Sequence, residues 1–196
     1  MKAHLIAKIA AMPAGKVFFT SDVAAILDEP VSEVSELLSE LVREGRVQRL
    51  VRGLYCKPRK TARGVLLPPD RDRIVATVIR HYDLEAVPMG LTAAWHLGLV
   101  EQRPDPEQYA VHQGLHRMDF RDWRLELLPG RSMPFSFRTE LASLIVTALP
   151  AIGEGQLTPS HATTLKAQIS TCPDKEAFRE DVFRMPVWIK KYLRKL

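Results

Sequence analysis

The first sixty residues set short apolar stripes between sharp breaks. Leu5, Ile6, Ile9 and Ala10 recur at the spacing of one helical face over residues 2–12, and Pro13 with Gly15 ends that helix. Phe18-Phe19 leads into Thr20-Ser21-Asp22, where a hydroxyl can cap a short helix over 23–27 and Asp22 sits against its positive N-terminal dipole. Pro30 suits the first turn of a third helix that runs to about Glu44, because its missing N–H would be unpaired there. Val34, Leu37, Leu38, Leu41 and Val42 form that helix's apolar stripe, while Ser32, Glu36, Ser39 and Arg43 face the opposite way. Gly45 caps its end. Residues 46–50 and 54–57 then read as two strands, with Gly53 supplying the positive φ of a tight hairpin turn. Val47 and Leu50 face one side only if the first strand carries a bulge.

Residues 58–70, PRKTARGVLLPPD, read as a linker in which Gly64 and Pro68-Pro69 leave no regular structure. Beyond it the pattern predicts a helix over 70–82, a strand over 84–87, a helix over 91–97, and two or three strands within 108–128 around Gly114. An apolar helix over 137–149 follows, and helices over 173–184 and 186–196 close the chain. The fold class is α+β, in two domains at 1–66 and 67–196. Three helices followed by a hairpin is the order of a winged helix-turn-helix, with the third helix as recognition helix and the hairpin as wing.

Composition narrows the class. The 196 residues are 46% hydrophobic and 26% charged, without a fixed-period repeat, as in an ordinary globular protein. The longest apolar run, LASLIVTALPAI, is interrupted by Pro150 and falls short of the roughly 18 residues a membrane helix needs. The N-terminus is a poor secretion signal, because His4 and Lys8 break its apolar region. Cys56 and Cys172 lie far apart and in no C-x-x-C pattern, which argues against a disulfide framework and against zinc. The expected location is the cytoplasm, with no membrane partner.

Charge changes the picture more. The formal net charge is +5, but it is segregated. Residues 28–44 hold six acids against Arg43 alone, whereas residues 46–63 hold seven lysines and arginines and no acid. A one-signed block on a projecting element is the electrostatic footprint of a nucleic-acid binder. Arg46, Arg49 and Arg52 on the wing reach a duplex backbone or minor groove, and Arg59, Lys60 and Arg63 continue the track. On the third helix Glu36, flanked by Glu33 and Glu40, is repelled by phosphates. Either Glu36 accepts from a cytosine amino group while Ser32, Ser39 and Arg43 touch neighbouring bases or phosphates, or the helix barely enters the groove and the wing carries most of the affinity.

Enzyme signatures are thin. Asp70-x-Asp72 opens a helix, so Asp70 reads as an N-cap rather than a metal ligand. His112 and His116 flank Gly114 without the helix and glutamate that make zinc ligands, and they read as exposed turn residues. P-loop, G-x-S-x-G and G-x-G-x-x-G motifs are absent from the sequence. Cys56 reads as a small packed residue, and Trp95, Trp123 and Trp188 as core or interface anchors. The expectation is a binding protein with no catalytic residue, no metal and no cofactor.

The runs VFFTSDVAAI, VSELLSELVREGRVQRLVRGLYCKP, VPMGLTAAWHLGLVEQRPDPEQYAVHQG and ASLIVTALPAIG resemble the AbiEi-like antitoxins of bacterial abortive-infection (type IV) toxin-antitoxin systems, over about residues 4–153. The resemblance implies a transcriptional regulator whose winged helix binds its own promoter, with basic contacts at Arg46, Arg49 and Arg52. It also implies a second domain that counters a nucleotidyltransferase-like toxin. A winged-helix regulator unconnected to any toxin is the alternative, and a nucleic-acid-modifying enzyme a third. The last forty or so residues, ending IKKYLRKL, fall outside the resemblance and read as an extra DNA contact or a packing helix pair.

Overall fold

The computed structural model describes residues 2–112, 118–130 and 133–196. The chain is mixed α+β and divides into two compact units. One comprises the residues up to Asp83 together with Met118–Trp123, and the other Leu84–Arg117 with Arg124–Leu196.

In the first unit α1 (Lys2–Ala11), α2 (Thr20–Leu27) and α3 (Val31–Arg43) pack beside a three-stranded antiparallel sheet of β1 (Val17–Phe19), β2 (Gln48–Val51) and β3 (Leu54–Cys56), ordered β1-β3-β2. Leu5, Ile9, Val34, Leu38, Leu41, Val47 and Tyr55 are among the buried residues of one cluster there. At about 1.5–3 kcal/mol per buried aliphatic or aromatic side chain, this stripe-to-stripe packing is what holds the three helices. The helix α3 stripe anticipated from spacing is the buried one, with Leu37 and Val42 at its margin.

Helix α3 stops at a Schellman motif. Gly45 has φ +68°, its N–H donates to the Val42 carbonyl at 3.0 Å, and the Arg46 N–H donates to the Leu41 carbonyl at 2.9 Å. The bulge inferred from Val47 and Leu50 is present: pairing runs Arg49↔Tyr55 and then Val51↔Leu54, so Leu50 drops out of the ladder and turns inward with Val47. Gly53, at φ +80°, makes the turn.

Three local expectations change. Helix α2 begins at Thr20, a turn earlier than the spacing predicts, and no hydroxyl caps it. Its first N–H groups are tied elsewhere: the Thr20 N–H and hydroxyl both donate to the Gly53 carbonyl, at 2.9 and 3.3 Å, and the Phe19 N–H meets Asp22 Oδ2 at 3.4 Å. Phe18-Phe19 is strand rather than approach, since β1 supplies the third strand of the sheet. The segment 58–70 is also not structureless. Its β4 (Arg59–Lys60) and β5 (Leu66–Leu67) form a ribbon closed by Gly64 at φ +78°, so the glycine makes a turn instead of breaking the structure.

Helix α4 (Arg71–Tyr82) belongs to the first unit, so the compact boundary falls at Asp83/Leu84 and not at 66/67. The cause is a contact that spacing does not reveal: the Phe19 ring stacks on the His81 ring with centroids 3.7 Å apart, and His81 Nδ1 lies 3.0 Å from Asp22 Oδ1. Asp70 is the N-cap as expected, accepting from the Asp72 N–H at 3.1 Å.

The second unit is built around α6 (Glu140–Ile152), whose Ala142, Ile145, Ala148 and Leu149 are fully buried. A helix apolar on nearly every side must be covered on nearly every side. Covering it are α5 (Gly90–His96), α7 (Pro159–Ser170), α8 (Lys175–Arg184) and α9 (Val187–Leu193), whose Ala93, Leu165, Phe178 and Ile189 share its core. A sheet of β6 (Ala86–Pro88), β7 (Glu107–Val111) and β8 (Leu125–Pro129) completes the unit. Strands β7 and β8 run parallel, which requires a crossover in place of a turn. Helix α7 was not anticipated, because it buries only Leu165 fully and shows no apolar stripe, although Thr158-Pro159 is a helix-start pair. Gly114 and His116 lie outside the described residues. His112 is half-buried, not exposed: its ring packs edge-on against Phe135 at 4.9 Å.

Candidate nucleic-acid interface

The basic block following α3 sorts into four groups. Lys57 turns inward: its Nζ donates to the Ala10 and Met12 carbonyls at 2.6 and 2.5 Å, closing the C-terminus of α1 where the helix dipole favours a cation. Arg59 is half-buried. Its Nη2 donates to the Pro68 carbonyl at 3.3 Å, its Nε is buried with no hydrogen-bond partner among the described residues, and its aliphatic stem lies so close to Gly15 that an added Cβ would sit 2.7 Å from Cδ. Arg46 is exposed but pairs with Glu44 at 3.0 Å.

Arg49, Arg52, Lys60 and Arg63 are left, all exposed, and among the described residues none has a carboxylate within ion-pair distance. Arg49 sits on β2 opposite Tyr55, and Arg52 in the hairpin turn. Lys60 is on β4 and Arg63 in the ribbon turn. The track inferred from the sequence is therefore carried by two β-ribbons, with Arg59 at its base as a packed side chain.

On α3, Ser32, Glu36 and Arg43 are exposed. Ser39 is half-buried and its hydroxyl donates to the Ser35 carbonyl at 2.8 Å, which occupies it within the helix. The acids of this helix are unequal. Glu40 and Glu44 meet Lys2 of α1 at 2.8 and 3.5 Å, and Lys2 in turn holds the Glu40 carboxyl below its ordinary pKa, first through the hydrogen bond and then through charge. Glu33 and Glu36 are unpaired among the described residues. The local negative charge facing solvent is thus smaller than the sequence count implies, and it is concentrated in the first half of the helix.

Two features of this surface were beyond sequence reasoning. The Trp123 Nε1–H donates to the Leu50 carbonyl at 2.8 Å, from a residue 73 positions away. The Gly53 carbonyl anchors the hairpin turn to the start of α2 through Thr20.

Residues 4–172 match a family of unknown function, DUF6088. The chain belongs to that family. No curated protein matches it. In this DUF6088 chain three other groups with potential chemistry, Cys56, Asp181 and Glu107, are buried. Burial pushes the Cys56 thiol up to about 11, against the pull of Arg59 and Arg73, so it stays protonated and unreactive at neutral pH. Buried Asp181 accepts from the Thr139 N–H and hydroxyl at 2.8 and 2.7 Å and from the Arg138 N–H at 3.0 Å. Buried Glu107 is held by Arg103 Nε at 2.7 Å and Nη2 at 3.1 Å, and the Arg103 guanidinium lies 4.7 Å over the Trp95 ring. No group of three or more metal-ligating side chains occurs among the described residues, and no described helix is long and apolar enough to cross a membrane.

Proposed function

We propose that the chain is a DNA-binding repressor of its own operon and the antitoxin of a toxin-antitoxin pair, with the first unit as a winged helix-turn-helix. In this reading α3 is the recognition helix, β2 and β3 form the wing, and the second unit counters a nucleotidyltransferase-like toxin. The protein works by binding and not by turnover. The observation that carries the reading is the set of four unpaired cations, Arg49, Arg52, Lys60 and Arg63, exposed on two ribbons directly after a helix that ends in a glycine cap. The element order α1-β1-α2-α3-β2-β3 supports it, as does the removal of Glu40 and Glu44 by Lys2 and Arg46 from the charge a phosphate would meet.

The wing outweighs the helix in this scheme. Its cations are unpaired, whereas α3 offers Arg43 and Ser32 beside two repelled glutamates. The test is fluorescence anisotropy of the full chain with the duplex upstream of its own gene and with a scrambled duplex, repeated across salt. Four neutralised phosphates predict a log K against log salt slope of about −4. A slope near zero, or equal affinity for both duplexes, would overturn the operator reading. Co-expression with the neighbouring reading frame decides the antitoxin half: absence of growth rescue would leave a regulator unconnected to any toxin.

A further inference from the structure

The ends of α7 and α9 and one side of α8 enclose a groove of about 410 Å³. Its floor is apolar: Ile169, Phe178, Val182 and Leu193 line it and continue into the core of the second unit. On α8, Phe183 also lines it and is 71% exposed, the most exposed of the large hydrophobic side chains among the described residues. Leaving an aromatic ring in water beside an open apolar trough is the signature of a surface meant to be covered.

The polar lining has one sign. Lys175, Arg179 and Arg194 border the groove, which has no carboxylate in its lining, and among the described residues none of the three has an acidic partner. Of the nearby acids, Asp181 is buried against Thr139, Glu180 pairs with Arg138 at 2.5 Å, and Asp174, just before α8, caps the helix through the Ala177 N–H at 2.8 Å; Glu176, in the first turn of α8, is exposed and is not among the lining residues. All the lining residues except Ile169 and Ser170 lie beyond residue 172, where the family match ends.

We propose that this groove binds an acidic amphipathic helix of a protein partner. An apolar helix face with anchors one and two turns apart fits a trough between helices, and flanking glutamates or aspartates meet the three cations. Other anionic ligands fit less well. A flat bilayer cannot reach a recessed floor, a nucleic-acid backbone has no use for an apolar one, and a small amphiphile held in the groove would leave Phe183 in water. The assignment is independent of the DNA-binding reading.

The probe is a fluorescent, helix-stabilised peptide of about five turns with leucines on one face and glutamates on both flanks, titrated with the full chain beside a twin carrying lysines on the flanks. The glutamate peptide should bind at least about tenfold tighter than its twin, and Phe183→Ser should weaken it at least about tenfold. Because Phe183, Lys175 and Arg179 are exposed, these variants should keep the parent circular dichroism and melting temperature. Lys175→Glu with Arg179→Glu should reverse the preference toward the lysine peptide. No binding of either peptide, equal affinity for both, or indifference to Phe183→Ser and to the charge reversal would each overturn the proposal. Displacement of the bound peptide by dodecanoate at stoichiometric levels would reassign the groove to a small amphiphile, and binding to phosphatidylserine vesicles in place of the peptide would reassign it to a lipid surface.

Discussion

The indole N–H of Trp123 donates to the carbonyl of Leu50 at 2.8 Å. Leu50 is buried and is the residue that the β2 bulge drops from the pairing with β3, and a carbonyl at such a position needs a donor. Trp123 supplies that donor, and the segment Met118–Trp123, with buried Phe120, counts structurally with the first unit.

Trp123→Phe keeps most of the ring and removes the donor. The loss should be about 1–2 kcal/mol of stability, read as a lower denaturation midpoint with an unchanged m-value. A fragment ending at residue 66 lacks this tryptophan, Phe120 and the His81 ring that stacks on Phe19. Such a fragment should melt well below the full chain, and should recover more order when extended to Asp83.

Lys57 and Arg49 stand in the same basic run but should respond oppositely to substitution. Lys57→Met removes the cation that closes α1 and should cost about 1–2 kcal/mol of stability while leaving the salt dependence of DNA binding unchanged. Arg49→Ala and Arg52→Ala together should leave stability within about 0.5 kcal/mol and reduce the salt slope by about 2. Melting curves and salt titrations of the variants separate the two roles.

What was legible in the sequence was whatever spacing or glycine chemistry dictates locally. The α3 stripe, the Gly45 cap, the Gly53 turn and the bulge between Val47 and Leu50 follow from periods of 3.6 and 2 and from positive φ, and all are present. The misreadings arise where a distant partner decides. Thr20 looks like a cap but bonds Gly53, and Pro68-Pro69 looks like a linker although Pro69 is buried and α4 folds back through His81. Of the seven basic residues at 46–63, a charge count gives no sign that Lys57 and Arg59 turn inward, because that turn depends on carbonyls of residues 10, 12 and 68. Helix α7 escaped because its single fully buried residue, Leu165, makes no pattern.

Cys56 gives a pH prediction. Below about pH 9 its thiol is protonated in the folded and unfolded chain alike, so it makes no difference to stability. As pH rises from about 9 toward 11 the unfolded thiol ionises while the buried one stays neutral, the unfolded state binds fewer protons, and stability falls. Cys56→Ala should remove that alkaline loss. At pH 8 the native protein should react slowly with an aromatic disulfide reagent, and two thiols should titrate promptly once it is unfolded, since Cys172 is buried as well.

The last prediction concerns Glu36. It is exposed on α3 with no cation beside it among the described residues, unlike Glu40, which Lys2 neutralises. A carboxylate about 8 Å from a phosphate in water is repelled by about 0.5 kcal/mol. Glu36→Gln should therefore tighten binding to scrambled duplex about twofold, as measured by anisotropy at low salt, with no change in melting temperature. The operator separates the two ways of using α3. If Glu36 accepts from a cytosine amino group, the same substitution should weaken operator binding by about 1 kcal/mol or more, because the amide offers a poorer acceptor to a desolvated donor. An equal gain on both duplexes would show that α3 reads no base through this residue and that Arg49, Arg52, Lys60 and Arg63 carry the interaction.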